Sequence, residues 1–212
     1  MKGRNGVTWE ILNIIGTIAF AASGALVALE EEFDFLGVIV LGLATAFGGG
    51  IIRNLLIGVP VASIWDQDIL IMIAIATILV IFVFPASWIN YYWEKWGSFF
   101  DAIGLAAFAI QGALFAEEMG HPFIAAMVAA AMTGTGGGII RDLLARRKPT
   151  VLQKEVYAVW AMMAGLLIGL GYPKELPPLM LLFGTIVFLR MLSLRYGWKL
   201  PYRSIHNEGS KT

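Results

Sequence analysis

The chain carries the stretch GGGIIRNLL at residues 48–56 and repeats it almost unchanged as GGGIIRDLL at residues 136–144. Both copies lie inside long apolar runs. A glycine in the middle of a helix costs about 1 kcal/mol relative to alanine, so two glycine triplets at matched positions need a structural reason. The pattern predicts two membrane helices that are interrupted at equivalent places and share one role.

The composition is that of a membrane protein with several spans. Of the 212 residues, 58% are hydrophobic and 14% are charged, and the mean hydropathy is +0.77, which is too apolar for an ordinary soluble domain. The 15 basic and 15 acidic residues cancel, so the net charge does not indicate a nucleic acid as partner. With no cysteine and two histidines, the sequence predicts no metal site and no cofactor. It contains no Ser/His/Asp arrangement, paired-carboxylate site, phosphate-binding loop or dinucleotide fingerprint, so no enzymatic activity is predicted.

Seven segments are predicted to cross the membrane, because a helix needs about 20 mostly apolar residues to do so. Arg190 interrupts the last of them and is expected to extend from a helix end to the membrane interface. Residues 90–97, rich in tyrosine and tryptophan, are predicted to form an interfacial connection. The predicted segments are residues 11–29, 36–57, 69–88, 99–116, 123–145, 156–171 and 179–194.

An internal repeat relates the two glycine triplets. They begin at positions 48 and 136, a spacing of 88, and at this spacing residues 13–56 align with residues 101–144 without a gap. The alignment matches glycines and charges, such as Glu30 with Glu118, and therefore indicates a duplication. We predict one transmembrane domain over residues 1–212, with a first three-helix repeat at 11–90, a second at 99–172 and a seventh helix at 177–195.

Because each repeat has three spans, the second repeat is predicted to be inverted relative to the first. In such folds, broken helices from the two halves meet near the membrane midplane and form the substrate or ion path. The positive-inside rule places the N-terminus outside and the C-terminus in the cytoplasm. The side predicted to be cytoplasmic would carry Lys95, Arg146, Arg147, Lys148, Lys154, Arg195, Lys199, Arg203 and Lys211. The outer side would carry Lys2, Arg4, Arg53 and Lys174.

The glycine stretches are the candidate functional site. Irregular backbone inside a membrane survives only against protein or a water-filled cavity, and an arginine at that depth usually faces such a cavity. We therefore predict pore-lining or gating roles for fourteen residues: Gly48, Gly49, Gly50, Arg53, Asn54, Gly136, Gly137, Gly138, Arg141, Asp142, Thr45, Thr133, Ser23 and Gln111.

Other interpretations stay open at this point. The glycines are also explained by tight packing, with Arg141 and Asp142 neutralising partners in the bundle. Threonine hydroxyls in helices often bind carbonyls of their own helix, which would give Thr45 and Thr133 a local role. In function, a secondary transporter and a membrane scaffold are alternatives to a channel.

The sequence resembles the prokaryotic members of the trimeric intracellular cation (TRIC) channel family. The resemblance rests on the duplicated glycine stretch, on Ala19-Phe20-Ala21-x-x-Gly24 with its second copy at residues 107–112, and on Asp101-Ala102-Ile103-Gly104. It implies an all-α homotrimer in a prokaryotic plasma membrane, surrounded by lipid. Each protomer would have its own pore, kinked at helices two and five, with potassium as the main ion. The same repeated domain is also labelled a glycine transporter, so a carrier for a small solute such as glycine is the alternative.

Overall fold

The computed structural model describes residues 6–153 and 156–201, and these residues form a bundle of helices. Short 3-10 helices, Val61–Asp66 and Thr150–Leu152, follow the second and the fifth α-helix. The α-helices are α1 (Gly6–Glu30), α2 (Phe35–Ile57), α3 (Asp68–Val83), α4 (Ala86–Glu118), α5 (Phe123–Leu144), α6 (Tyr157–Gly169) and α7 (Leu176–Arg195).

Within the described residues, five α-helices are long and apolar enough to cross a membrane, namely α1, α2, α4, α5 and α7. The chain is an integral membrane protein. Helices α3 and α6, with 16 and 13 residues, are apolar but shorter, so a crossing by all seven helices stays a prediction. Lys2, Arg4, Lys154, Arg203 and Lys211, which entered the predicted orientation, lie outside the described residues.

The boundary between the third and fourth segments differs from the prediction. Helix α3 ends at Val83, and α4 begins at Ala86, immediately after Pro85. The predicted connection at residues 90–97 is therefore wrong, since these residues belong to a helix of 33 residues that is about 50 Å long. Proline displaces the residue before it from helical geometry, whereas aromatic residues do not end a helix.

The glycine triplets do not interrupt their helices. Helix α2 continues through residues 48–50, and α5 continues through residues 136–138. The predicted helix breaks are therefore wrong. The reason for four of the glycines, Gly48, Gly49, Gly136 and Gly137, is the crossing of α2 and α5, where the helices approach too closely for a side chain. A Cβ atom at Gly50 or Gly138 would have no atom nearer than 3.5 Å.

The contacts at this crossing are reciprocal between the repeats. A Cβ atom at Gly49 would overlap the carbonyl oxygen of Thr133, and one at Gly137 would overlap that of Thr45. Positions 49 and 137, like 45 and 133, differ by the repeat spacing. Reciprocal contacts of this kind are the property of a two-fold interface. The same relation holds for Gly48 with Ile140 and Gly136 with Ile52, and for Gly16 with Phe108 and Gly104 with Phe20.

Gly165 and Gly169, which are four residues apart on α6 in a small-residue pattern, are used for packing within the chain. A Cβ atom at Gly165 would lie 2.5 Å from the Cα atom of Met127, and one at Gly169 would lie 2.9 Å from that of Phe123. Both neighbours belong to α5. The two glycines thus seat α6 on α5, which explains this pattern without a contact to a second protein chain.

Two ion pairs lie at opposite ends of the bundle. Arg147, which follows α5, lies 2.7 Å from Glu30 at the end of α1. Lys174, which precedes α7, lies 2.6 Å from Glu117 near the end of α4. Helices α1 and α4 are equivalent in the two repeats, so their ends at opposite faces of the bundle agree with an inverted relation.

Candidate functional site

Two polar cavities lie beside the arginines that follow the glycine triplets. We name them the Arg141 cavity and the Arg53 cavity. The Arg141 cavity has a volume of about 430 Å³, whereas that of the Arg53 cavity is about 30 Å³. The two cavities share no lining residue. The polar lining of the first includes Ser23, Asp101, Asp142 and Arg190, and that of the second includes Asn13, Thr17, Asn54, Gln111 and Thr133.

Arg141 is held by charged and polar partners from three helices. Its Nη1 atom donates to Oδ1 of Asp101 on α4 at 2.8 Å and to Oγ of Ser23 on α1 at 2.6 Å. On α5 itself, Nε donates to Oδ1 of Asp142 at 2.9 Å, and Nη2 lies 2.8 Å from the same oxygen. All four side chains are at least nine-tenths buried. A buried guanidinium between two carboxylates is an arrangement that compensates the desolvation of the charges.

Asp142 also fixes the segment that follows α5. Its Oδ2 atom accepts a hydrogen bond of 3.0 Å from the backbone N–H of Thr150. One carboxylate therefore joins the guanidinium of Arg141 to the 3-10 helix at Thr150–Leu152. Removal of its charge would act on both the cavity and the loop.

Arg190 enters the Arg141 cavity from α7, which lies outside the repeat. Its side chain is 4% exposed, and its guanidinium carbon lies 4.4 Å from the centre of the Tyr157 ring. The expectation that Arg190 extends to the membrane interface is therefore wrong. An aromatic ring and a polar cavity inside the bundle offer the guanidinium partners that the interface would otherwise provide.

Arg53 occupies the equivalent place in the first repeat. Its Nη2 and Nε atoms donate to Oδ1 of Asn54 at 2.8 and 3.1 Å. Nδ2 of Asn54 in turn donates to Oγ of Ser63, in the 3-10 helix that follows α2, at 3.1 Å. The ring of Phe115 lies 4.4 Å from the guanidinium carbon and covers one of its faces.

The second repeat carries acids where the first carries amides. The repeat spacing pairs Asp101 with Asn13 and Asp142 with Asn54, and each member lines the cavity of its own arginine. Among the described residues, ion pairs are formed by Arg141 but none by Arg53. The two halves thus share a geometry and differ in charge.

The structure separates the fourteen predicted residues into two groups. Eight line a cavity: Arg53, Asn54, Gly50, Gln111 and Thr133 in one, and Ser23, Arg141 and Asp142 in the other. The other six belong to α2 or α5 but line neither cavity: Thr45, Gly48, Gly49, Gly136, Gly137 and Gly138.

Both threonines bind carbonyl oxygens of their own helices. Oγ1 of Thr45 donates to Leu41, and Oγ1 of Thr133 donates to Ala129, each at 2.6 Å. The local role that the sequence left open is therefore present in both repeats. Thr133 additionally lines the Arg53 cavity.

Several residues in or beside the two cavities were absent from the predicted set. Asn13 and Asp101 are the first pair in the gap-free alignment of the repeats. The spacing of 88 and the polarity of both side chains could therefore have identified them as an equivalent pair. Tyr157 and Arg190 lie on α6 and α7, and the aligned part of the repeat ends before both. Only the packing of these helices brings them to Arg141.

The region between the cavities is closed by the helix crossing. Beside it, the rings of Phe20 and Phe108 lie 5.2 Å apart, and Phe20 also lies against Gly137. Each phenylalanine belongs to the first helix of a repeat. A route that joined the two cavities would have to pass the crossing and these rings.

An ion pair lies at the entrance of the Arg141 cavity. Nη2 of Arg147 is 2.7 Å from Oε2 of Glu30 and 2.6 Å from Oε1 of Glu31. Partial burial lowers the pKa of Arg147, but the hydrogen bonds and charges of the two glutamates outweigh this effect and raise it above its usual value. Arg147 therefore stays charged and ties the end of α1 to the loop after α5.

Comparison with known proteins agrees with this architecture. The family model described as "Glycine transporter" matches residues 10–86 and again residues 98–173, which together are well over half of the chain. The chain belongs to this family. It is similar to the UPF0126 membrane protein YvgT of Bacillus subtilis (strain 168), with 58% identity over 93% of the chain and 98% of that protein.

Solved structures of similar sequence have the same fold. One is a prokaryotic TRIC channel crystallised in 0.5 M KCl, with a TM-score of 0.83, 35% identity and coverage of 91% of this chain and 98% of that one. Another is the TRIC trimeric intracellular cation channel orthologue from Rhodobacter sphaeroides, with a TM-score of 0.78, 31% identity and coverage of 89% and 98%. The predicted resemblance to prokaryotic TRIC channels is therefore confirmed, and these relatives are channels rather than enzymes.

Proposed function

We propose that the chain is a channel for monovalent cations, with potassium as the main ion. The observation that carries the proposal is the position of the crossing of α2 and α5 between two polar cavities. The two helices pack closely there through their glycines, so the crossing would close the route between the cavities and act as its gate. The similarity in sequence and fold to prokaryotic TRIC cation channels supports the same function.

The proposed route begins in the Arg141 cavity. Asp101, Asp142 and Glu30 line it, and carboxylates in a cleft raise the local concentration of cations. Four basic side chains line the same cavity, namely Arg141, Arg147, Lys148 and Arg190, and leave it with one positive charge in excess. The carboxylates would therefore attract passing ions only locally and would not hold them tightly, as conduction requires.

The proposed gate is the crossing itself. Because Gly49 and Gly137 have no side chain, the carbonyl oxygens of Thr133 and Thr45 face the neighbouring helix directly. Carbonyl oxygens replace the hydration shell of potassium in selective pores. A small separation of α2 from α5 would expose both carbonyls to an ion, with Gly48, Gly50, Gly136 and Gly138 allowing the backbones to move.

We further propose a homotrimer in the plasma membrane of a prokaryote, with one pore in each protomer and lipid around it. The similarity to channels described as trimeric supports the assembly. The N-terminus would lie outside and the C-terminus in the cytoplasm, which places the Arg141 cavity on the cytoplasmic side. Native mass measurement or cross-linking in detergent tests the trimer, and accessibility of single introduced cysteines tests the orientation.

The second candidate function is a secondary transporter for a small solute such as glycine. Two observations favour it: the description of the matching family, and two cavities that share no lining residue. A carrier opens one cavity at a time around a closed centre. The proposed lining residues would then form the two halves of a substrate pathway.

Planar bilayer recording separates the two functions. The purified protein is reconstituted with potassium as the only permeant cation, and protein-free detergent serves as the control. A channel gives unitary current steps whose size rises with voltage. Saturable uptake of glycine that needs a cosubstrate, without unitary currents, would instead establish the transporter, and the absence of both would leave a membrane scaffold.

A further inference from the structure

The charge of Arg53 has no counterpart in the described part of its own chain. The residue is 6% exposed, and none of the carboxylates whose side chains the structure describes pairs with it. Buried charges in proteins are normally paired. In the second repeat Asp101 and Asp142 fulfil this role, whereas the first repeat has neutral amides at both equivalent positions.

Two hydrogen-bond donors at the Arg53 cavity are unused. Nε and Nη2 of Arg53 donate to Asn54, but Nη1 makes no hydrogen bond with any described residue. Nε2 of Gln111 is fully buried and likewise has no partner among the described residues. Both side chains line the same cavity. A buried donor without an acceptor is costly. The unpartnered amide nitrogen of Gln111, beside a guanidinium nitrogen that also donates to no described residue, therefore indicates a missing acceptor.

The cavity fits an occupant of atomic size. Its volume is about 30 Å³, and one water molecule needs at least about 10–15 Å³ on this scale. Two waters fill the space, or one halide ion, but a phosphate, a lipid headgroup or an amino acid does not fit. Phe115 covers one face of the guanidinium and limits the space further.

We propose that the Arg53 cavity is a binding site for one small monovalent anion of the halide class. The anion accepts hydrogen bonds from Nη1 of Arg53 and Nε2 of Gln111, and its charge offsets that of the guanidinium. It thereby replaces the carboxylates that the second repeat supplies from its own sequence. The site does not depend on the proposed cation conduction, because it concerns a resident ion in the first repeat.

A thermal unfolding titration with bromide tests the site in solution. The purified full-length protein is held in potassium gluconate, and gluconate is replaced stepwise by bromide at constant potassium. Gluconate is too large for the cavity, so bromide is the only one of the two anions that can enter it. A ligand that binds the folded state raises the unfolding midpoint in a saturable way, and this saturable rise is the expected result.

Two variants with the same chemical exchange separate the site from a general salt effect. Asn54→Asp places a carboxylate beside Arg53 and should weaken bromide binding about tenfold or more, because the anion then meets a fixed negative charge. Asp142→Asn makes the opposite exchange 88 positions away and serves as the matched control. It leaves the residues of the Arg53 cavity intact, so the saturable rise of the midpoint with bromide should persist.

Anomalous X-ray scattering locates the ion directly. Crystals grown in bromide should show a peak beside Nη1 of Arg53 in the wild-type protein and in Asp142→Asn, but not in Asn54→Asp. If Asn54→Asp does not fold, Gln111→Leu takes its place, since it removes one donor and should also abolish the peak. A wild-type protein without a peak at this position, or a peak that persists in both test variants, overturns the proposal.

Discussion

Gly137 on α5 lies against the carbonyl oxygen of Thr45 on α2, so closely that a Cβ atom at position 137 would overlap that oxygen. The obstacle is backbone, which cannot move aside as a flexible side chain can. We therefore expect Gly137→Ala, and likewise Gly49→Ala, to force the two helices apart. Overpacking of this kind typically costs about 1–3 kcal/mol.

The measurement for this first prediction is the thermal unfolding midpoint in detergent, with Gly184→Ala as the control. Gly184 lies within α7, and a Cβ atom added there would have no neighbouring atom within 4 Å. The control should therefore keep or raise the midpoint, because alanine favours the helix by about 1 kcal/mol. Equal midpoints for Gly137→Ala and Gly184→Ala would show that the crossing is not tightly packed.

Arg141 and Arg53 should respond differently to alanine. Arg141→Ala leaves two buried carboxylates without their cation, and removal of one partner from a buried pair costs about 3–5 kcal/mol. Arg53→Ala leaves only neutral partners behind. We expect a large fall of the unfolding midpoint for Arg141→Ala and a much smaller one for Arg53→Ala, and comparable losses would contradict the charge difference between the repeats.

We expect Arg53→Ala to increase the potassium conductance of the proposed channel. The recording is made in potassium gluconate, so that no halide offsets the charge of Arg53. The substitution then removes a fixed cation from the proposed route, and a fixed cation opposes the passage of other cations. Unitary potassium conductance should therefore rise, by roughly twofold or more at low salt, where charges are least screened. Unchanged conductance with normal assembly would assign Arg53 to packing alone.

Asp142→Asn gives the second repeat the side chain of the first. The amide still offers an oxygen to Arg141 but lacks the negative charge, so the Arg141 cavity becomes more positive. We expect a several-fold lower potassium conductance and a reversal potential shifted toward weaker cation selectivity. Asn54→Asp is the opposite exchange, and a loss of cation selectivity in that variant as well would argue against an electrostatic cause.

The ion pair at the entrance of the Arg141 cavity can be tested with two adjacent arginines. Arg147→Gln breaks the bridge to Glu30 and Glu31 and leaves both glutamates free to attract cations. Arg146→Gln removes the same charge from an exposed residue for which no ion pair occurs among the described residues. Potassium conductance at low ionic strength should rise more in Arg147→Gln, and the difference should shrink at high salt.

The sequence allowed the helical class, the duplication and most helix bounds to be predicted, because these depend on apolar length and on spacing along the chain. The role of the glycines was harder to predict. A glycine triplet in a helix is consistent with a break, a kink or a close helix crossing, and only the neighbouring helix distinguishes these. Gly49 meets Thr133 of the other repeat, a contact that neither local propensity nor periodicity encodes.

The candidate site was likewise predicted in part, because some of its residues follow from the sequence motif and others only from helix packing. Arg53, Arg141 and their neighbours at the next position follow from the motif itself. Asp101 entered only as part of a family motif, although its pairing with Asn13 in the repeat alignment indicated a charge difference. Arg190 was misplaced because its position near a helix end suggested the interface, whereas the ring of Tyr157 keeps its guanidinium inside.

The reciprocity of the contacts at the helix crossing has a consequence for the history of the chain. If each half were a separate protein paired with an inverted copy of itself, every substitution would alter both ends of the assembly at once. An acid gained near one arginine would also appear near the other. Fusion into a single chain removed that constraint. Asn13 and Asp101, like Asn54 and Asp142, could then diverge while the glycines, which must fit each other, stayed the same.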